Sequence, residues 1–386
     1  PPARPRGRRF QLEAPSFVCG LWEDVTSHHV GEGCVKDESG AGVDWSAAYA
    51  ASRNRYERYC GKLQELLGQV LEKCGVEYVQ MEGRAKDVAS FTEKIQRKGG
   101  KYTDPLAEVT DLAGIRIIAY YVEDVERIAG LIRQEFSVLE EHSGDKQAEL
   151  ADNEFGYASF HLVLELADKR SSLLEWEEFR GLKAEVQVRT ALQHAWAAVN
   201  HKLDYKKSQD SPRELRRRLF RLSALFELAD EEFSKIRSDG RRIADAYARE
   251  VRSGTYDLEV NVDSVSAWIR EDPLVQRLRQ TAHRIGWPLL GDSDPVPAVD
   301  RRDLVHFLNA QGMTRIGDLR DALDRGEHLI EPVLRRFIDD EEEPHATSME
   351  DLMTQFLLVY RKVPVEMWDT YYEPTGAFEA ARALVE

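Results

Sequence analysis

The chain has 386 residues, 42% hydrophobic and 32% charged, which suits a soluble globular protein of two domains or of one domain with large additions. A formal net charge of -16 and a pI near 5.2 argue against broad binding to nucleic acid or anionic membranes, while leaving room for a local basic pocket. No apolar run approaches the roughly 18 residues that span a bilayer; Cys19, Cys34, Cys60 and Cys74 form no CxxC pair, so a reducing cytoplasm is expected and a zinc site is not.

Residues 1–43 keep no sustained period, and their basic start lacks the apolar stretch of a signal peptide, so they read as an irregular lead. From Asp44 to about Lys73 the spacing of Tyr49, Tyr56, Leu63, Leu67 and Val70 predicts a helix. VEYVQME (76–82) reads as a short strand, with Arg84 and Lys86 following it. DVASFTEKIQRK reads as an amphipathic helix opened by Ser90 and stopped by Gly99 and Gly100. LAGIRIIAYY (112–121) is an apolar strand, VEDVERIAGLIRQEF (122–136) a helix behind it, SVLEEH a short strand, and SGDKQAELADNE an acidic loop.

FGYASFHLVLEL (155–166) and LKAEVQVRT (182–190) alternate as strands, and Thr190 sits where an N-cap would open the helix ALQHAWAAVNHKLDY. Helix and strand alternate through this region, which predicts a mixed sheet with covering helices. Residues 212–253 read as two helices, the first aligning Leu215, Leu219, Leu222, Phe226 and Phe233. A boundary is expected near Gly254. Beyond it YDLEVNVD reads as a short strand and the rest as helices separated by Pro and Gly, giving a domain over 44–253 and a mainly helical one over 254–386.

Four segments around the expected sheet carry polar groups suited to phosphate chemistry. Arg84, Lys86 and Lys94 supply cations that clamp polyphosphate, and Ser90 shares a helix face with Lys94. Asp111 at a strand entrance suits Mg²⁺, which takes one or two carboxylates plus phosphate oxygens; a turn-capping role is the plainer alternative. Tyr157, Ser159 and His161 project from one strand face, where a tyrosine can stack on a base. Glu185, Gln187 and Arg189 share a face of the last strand, and Glu185 could bind metal or take a proton from a hydroxyl. Together they suit phosphoryl or pyrophosphoryl transfer.

In their order, GRAKDVASFTEK, DLAGIRI, GYASFH and EVQVRTALQHAWAAVNHKL resemble the synthetase domain of the RelA/SpoT-type alarmone synthetases, over roughly Asp44 to Asp230. The resemblance implies an α/β (α+β) fold, a nucleotidyltransferase-like mixed sheet flanked by helices, and transfer of the β,γ-pyrophosphate of ATP to a ribose 3′-hydroxyl, usually of GDP or GTP. It implies that Arg84, Lys86 and Lys94 hold the ATP phosphates, with Ser90 beside them and Arg116 in support, and that Asp111 ligates Mg²⁺. Tyr157 would stack on the acceptor base, His161 would lie near its ribose or phosphate, and Gln187 would orient the ribose. Ala197 would approach the base, and Glu185 would act as metal ligand, base or both.

One departure stands out. Many guanine-nucleotide synthetases carry Lys and Asn ahead of the Gly-Tyr pair, where this chain has Asn153, Glu154 and Phe155. An acid there repels a free diphosphate, which opens two further acceptors: an adenosine nucleotide, or the 3′-CCA end of tRNA, as in toxin-type relatives. A nucleotide-sensing module without turnover is the non-catalytic alternative. No His-Asp dipeptide of the kind marking the family's hydrolase domain occurs. The region beyond Gly254 is expected to control the synthetase, or to mediate a homo-oligomer or a regulatory partner.

Overall fold

Helix α1 (Trp45–Lys73) starts where the Asp44 carboxylate accepts the amide of Ala47, and it buries Tyr49, Tyr56, Tyr59, Leu63, Leu67 and Leu71 along one stripe. In this computed structural model the described residues are 43–145, 159–202, 213–291, 296–340, 346–364 and 380–385. The chain divides into two compact units, residues 1–235 and 236–386.

In the first unit α1 is followed by β1 (Tyr78–Ala85), α2 (Val88–Arg97), the short α3 (Pro105–Glu108), β2 (Ala113–Ala119) and α4 (Val122–Glu135). Then come β3 (Phe136–Val138), β4 (Gly144–Asp145), β5 (Phe160–Leu166), the short α5 (Asp168–Ser171), β6 (Ala184–Thr190) and α6 (Ala191–Lys202). The strands form one mixed sheet in the order β1-β2-β6-β5-β3, with β4 also on β5. β2 and β6 are parallel and the other neighbours antiparallel. Alternation sorts the sheet's two faces. Ile115, Ile117, Val186, Val188, Leu162 and Leu164 are all buried and join the core with the stripe of α1. Each such side chain contributes roughly 1.5–3 kcal/mol. Gly83 lets α1 approach, because a Cβ there would lie 2.9 Å from Ile115 Cδ1 and 3.2 Å from the Cys60 carbonyl oxygen. The opposite face carries the polar side chains.

Several sequence expectations need correction. β1 runs on to Ala85, so Arg84 lies inside the strand; its outward residues are polar and hid the continuation. Helix α2 opens two residues before Ser90, with Asp87 as its cap accepting the Ala89 and Ser90 amides. Residues 213–252 form one 40-residue helix, α7 (Arg213–Arg252), because the roughly 1 kcal/mol that Gly240 costs does not break so long a helix. Leu222 and Phe233, expected on its apolar face, are half exposed. Gly254, at φ +80°, follows its end.

The second unit is helical: α8 (Val262–Glu271), α9 (Pro273–Arg284), α10 (Ala298–Ala310), α11 (Ile316–Asp340) and α12 (Met349–Tyr360). YDLEVNVD makes only a single bridge, Glu259 with Arg315, because Asn261 is taken as the cap of α8 in a reciprocal capping box with Ser264. Trp268, Phe307, Leu308, Leu334 and Phe356 centre this unit's own core. No helix among the described residues is long and apolar enough to cross a membrane.

Candidate active site

The polar face of the sheet is ordered in rows by strand register. Arg84, Gly114 and Glu185 stand side by side on β1, β2 and β6. One step along, Glu82, Arg116, Gln187 and His161 form a second row across four strands. Between the rows lies a recess of about 70 Å³ lined by Arg84, Lys86, Asp111, Gly114, Glu185 and Gln187. At about 30 Å³ per water, that is room for about two waters or one phosphoryl group and not for a whole nucleotide. Gly114 forms its floor: a Cβ there would meet only the Arg84 carbonyl oxygen, at 3.7 Å, so the protein has space for a side chain that the recess lacks.

At one end Asp111 Oδ2 accepts from Lys86 Nζ at 3.0 Å and Lys94 Nζ at 2.9 Å. Lys86 is fixed from behind. Its amide donates to the Leu112 carbonyl, and its own carbonyl accepts from the Tyr49 hydroxyl (2.7 Å) and Arg53 Nε (3.1 Å) of α1. Lys94 arrives from the second turn of α2, two turns beyond its cap. Burial pushes the Asp111 carboxyl up, but the two ammonium groups outweigh it and hold the group below the usual carboxylate range. Its other oxygen, Oδ1, is buried without a hydrogen-bond partner among the described residues. A buried carboxylate oxygen left open, in a recess that Glu185 and Gln187 also line, fits a hard cation. No cluster of three or more His, Cys, Asp or Glu side chains exists among the described residues, so substrate oxygens would complete such an ion's shell.

At the other end His161 Nδ1 lies 2.6 Å from Glu185 Oε1, and His161 Nε2 lies 2.7 Å from Ser159 Oγ. With Nδ1–H donating to the carboxylate, Nε2 is free to accept from the serine hydroxyl, a tautomer assigned from its partners. The carboxylate is thereby aimed by a neighbouring strand.

A third cluster joins Arg116 and Arg189, both singled out in the sequence, to Glu82 and His194. Arg116 Nη1 lies 4.0 Å from Glu82 Oε2, and the buried Arg189 lies next along the face. Burial and Arg116 push Arg189 down to about 10. Burial, Arg189 and Arg116 push His194 of α6 down to about 4, so it is neutral near pH 7. The strand-to-helix corner is tied by Thr190: its Oγ1 accepts the Gln193 amide at 3.1 Å, Gln193 Oε1 accepts the Thr190 amide, and Thr190 Oγ1 donates to Asp230 of α7 at 2.5 Å. The T-x-x-Q spacing was the available signal for this box.

Of the residues singled out in the sequence, Arg84, Lys86, Asp111, Glu185 and Gln187 line one recess. Lys94 reaches it through Asp111 and His161 through Glu185. Arg116 stands in the adjoining row, Ser90 is half-buried on α2, and Ala197 is half-buried on α6. Tyr157, Asn153, Glu154 and Phe155 lie outside the described residues.

The sequence matches the region found in RelA/SpoT proteins over residues 83–210. It is 34% identical over 176 residues to the GTP pyrophosphokinase YjbM of Bacillus subtilis, covering 43% of this chain and 75% of that protein. It is 28% identical over 158 residues to the GTP pyrophosphokinase YwaC of the same organism, covering 40% and 72%. Among solved structures, small alarmone synthetase 1 of Bacillus subtilis bound to its product pppGpp superposes with a TM-score of 0.42 at 28% identity, over 50% of this chain and 98% of that one.

Proposed function

The chain belongs to the RelA/SpoT family, and from that premise we propose that it transfers the β,γ-pyrophosphate of ATP to the ribose 3′-hydroxyl of a purine nucleotide. It is a transferase of the pyrophosphokinase kind. The observation that carries the reading is the meeting of cations and two carboxylates at one recess: Lys86, Lys94 and Arg84 with Asp111 at one end, Glu185 at the other. The relatives named GTP pyrophosphokinases favour GDP or GTP as the acceptor.

In this reading Arg84, Lys86 and Lys94 bind the donor's phosphates, with Arg116 adding charge from the next row and Ser90 near Lys94. Asp111 and Glu185 would hold Mg²⁺, which when bound neutralises charge on the phosphate oxygens. Glu185 takes the proton of the acceptor's 3′-hydroxyl, held by His161 in the orientation that points a lone pair at it. The freed oxygen bonds to the β-phosphorus of ATP, the bond between that phosphorus and the α–β bridging oxygen breaks, and AMP leaves with the electron pair. Gln187, one step along β6, orients the acceptor's ribose, and Tyr157 and Ala197 receive its base. Positioning and charge supply most of the acceleration in such a transfer.

A second acceptor is favoured by one observation. Arg217, Arg218 and Arg221 are exposed on α7, a row able to track the phosphates of the 3′ end of tRNA. The test is incubation with γ-³²P-ATP, Mg²⁺ and, in parallel, GDP, GTP, AMP, ADP and deacylated tRNA. Label in a guanine nucleotide supports the main reading, label in an adenosine nucleotide moves the acceptor, and label in tRNA alone replaces it with the second. No label in any arm sinks transfer and leaves a nucleotide-sensing module.

A further inference from the structure

The polar face of β6 carries three side chains in line, Glu185, Gln187 and Arg189, and the transfer reading uses only the first two. Arg189 is 7% exposed, and its Nε is buried without a hydrogen-bond partner among the described residues. Its register neighbour on β2 is Ile118, also buried, whose side chain accepts no hydrogen bond. Glu82, the acid whose field reaches Arg189, lies 4.0 Å from Arg116, and burial and Arg116 both weigh more on Arg189 than that acid does. They push the guanidinium down to about 10, so it keeps its charge near pH 7. In the first turn of α6, His194 Nδ1 is likewise buried without a partner among the described residues, within the field of Arg189. A buried charge whose counter-ion is shared and whose N–H is unbonded is costly to keep. An anion supplied by a ligand offsets that cost.

We infer that Arg189 holds the 5′-phosphates of the acceptor nucleotide and so selects among acceptors, a role that rests on the transfer reading and its placement of the acceptor. Along β6 the three side chains repeat the order of the acceptor's own groups. Glu185 meets the 3′-hydroxyl, Gln187 the ribose, and Arg189 stands where the 5′-oxygen leads on to phosphate. Glu185 and Arg189 are four residues apart, about 13 Å along a strand at about 3.3 Å per residue. A ribose with its 5′-diphosphate, met at each end by a side chain, covers that span. The guanidinium is a planar fork that takes two phosphate oxygens at once, and its burial strengthens the contact. His194, neutral near pH 7, brings a hydrogen-bonding nitrogen beside the fork without a further charge. The donor's phosphates have their own cations, Lys86 and Lys94, at the Asp111 end of the recess. A free nucleoside diphosphate is thereby preferred to a nucleoside, which has no phosphate, and to the terminal nucleotide of an RNA, whose phosphodiester carries one charge.

The test uses the full chain with its donor site filled by a non-hydrolysable ATP analogue. Guanosine, GMP and GDP, and in parallel adenosine, AMP and ADP, are titrated into it and binding is read by calorimetry. The expected result is that the diphosphate of one base binds about tenfold or more tighter than its nucleoside, the size of one charge-assisted hydrogen bond. Arg189→Gln removes that preference: the diphosphate falls to the level of the nucleoside, while the nucleoside and the ATP analogue bind as they do to the parent. Arg189→Lys, which keeps the charge without the fork, retains part of the preference. Arg189→Gln melts no lower than the parent, because a buried charge with an unbonded N–H is removed. An unchanged preference in both variants overturns the proposal, and a lowered melting temperature alongside it makes Arg189 a structural residue. Equal weakening of nucleoside and diphosphate also overturns it, as does a parent with no preference for a diphosphate. A loss confined to the ATP analogue overturns it by giving the phosphate to the donor. Product from γ-³²P-ATP is scored separately. Transfer by the parent with a preference that ignores Arg189 sinks this inference alone, and a preference lost in Arg189→Gln without transfer by the parent sinks the catalytic reading alone.

Discussion

His161 Nδ1 and Glu185 Oε1 face each other at 2.6 Å across the β5–β6 pair, one register step apart. If Glu185 takes the acceptor's proton, Glu185→Gln lowers kcat by about 10²–10⁴-fold, the usual worth of a general base, while affinity for a non-hydrolysable ATP analogue stays within about threefold. His161→Gln, which holds the carboxylate less well, lowers kcat by a smaller factor and moves the acid limb of the pH–rate profile. A pH profile of His161→Gln identical to that of the parent would remove the positioning role.

Lys94→Ala removes one of the two cations on Asp111 and is expected to weaken ATP binding about tenfold, read by calorimetry. It also changes stability in acid. The folded state holds Asp111 below its ordinary value, so the associated stability is complete above about pH 4 and is lost as pH falls through the depressed value. With one ammonium gone, burial counts for more and the loss begins at higher pH. Thermal melts of both proteins between about pH 3 and about pH 6 give the comparison.

Two glycines separate folding from catalysis. Gly83→Ala drives a Cβ to 2.9 Å from Ile115 Cδ1 and 3.1 Å from Gln64 Oε1, and is expected to cost about 1–3 kcal/mol of stability. Gly114→Val meets no such crowding near the backbone, so the protein melts near the parent's temperature but loses transfer, because the side chain fills the recess. Full activity in a well-folded Gly114→Val would show that the recess is not the reaction's floor.

Asp230 and His194 titrate in opposition. Burial raises Asp230 to about 7, so its neutral form favours the fold and that contribution declines as pH climbs from about 4 through 7. His194 is depressed to about 4, so its contribution is whole above about 6.5 and declines as pH drops toward 4. The parent should show a flat melting temperature between these values. Asp230→Asn should leave a profile that rises with pH, and His194→Gln one that falls.

Much of this was legible because the site's residues sit in short motifs with strong local periods. The strands bearing His161 and Glu185 were legible from alternation, the one bearing Arg116 from its apolar run, and helix α2 bearing Lys94 from its amphipathic spacing. What alternation cannot supply is register. That Lys86 faces Asp111, twenty-five positions on, depends on the antiparallel pairing of β1 with β2, and the row of Glu82 with Arg116, Gln187 and His161 on three successive pairings. Glu82 was not singled out because a polar residue facing outward looks the same whether it meets water or a neighbour. Residues 212–253 read as two helices because local patterns weigh a few residues at a time, whereas helix cooperativity carries the 40-residue α7 across Gly240.

The strand that comes last in the sheet's sequence occupies its middle. β6 enters between β2 and β5, pairing Ala184 with Ala113 and with Leu164. During synthesis, the chain up to residue 183 can pair β1 with β2 and β3 with β5, but it leaves two open edges facing an empty slot. Such edges invite pairing with other chains, and parallel closure over a long loop is slow. A nascent or truncated molecule therefore carries Lys86 and Lys94 but not Glu185, making it prone to aggregate, and the proposed transfer would wait until the final strand arrives.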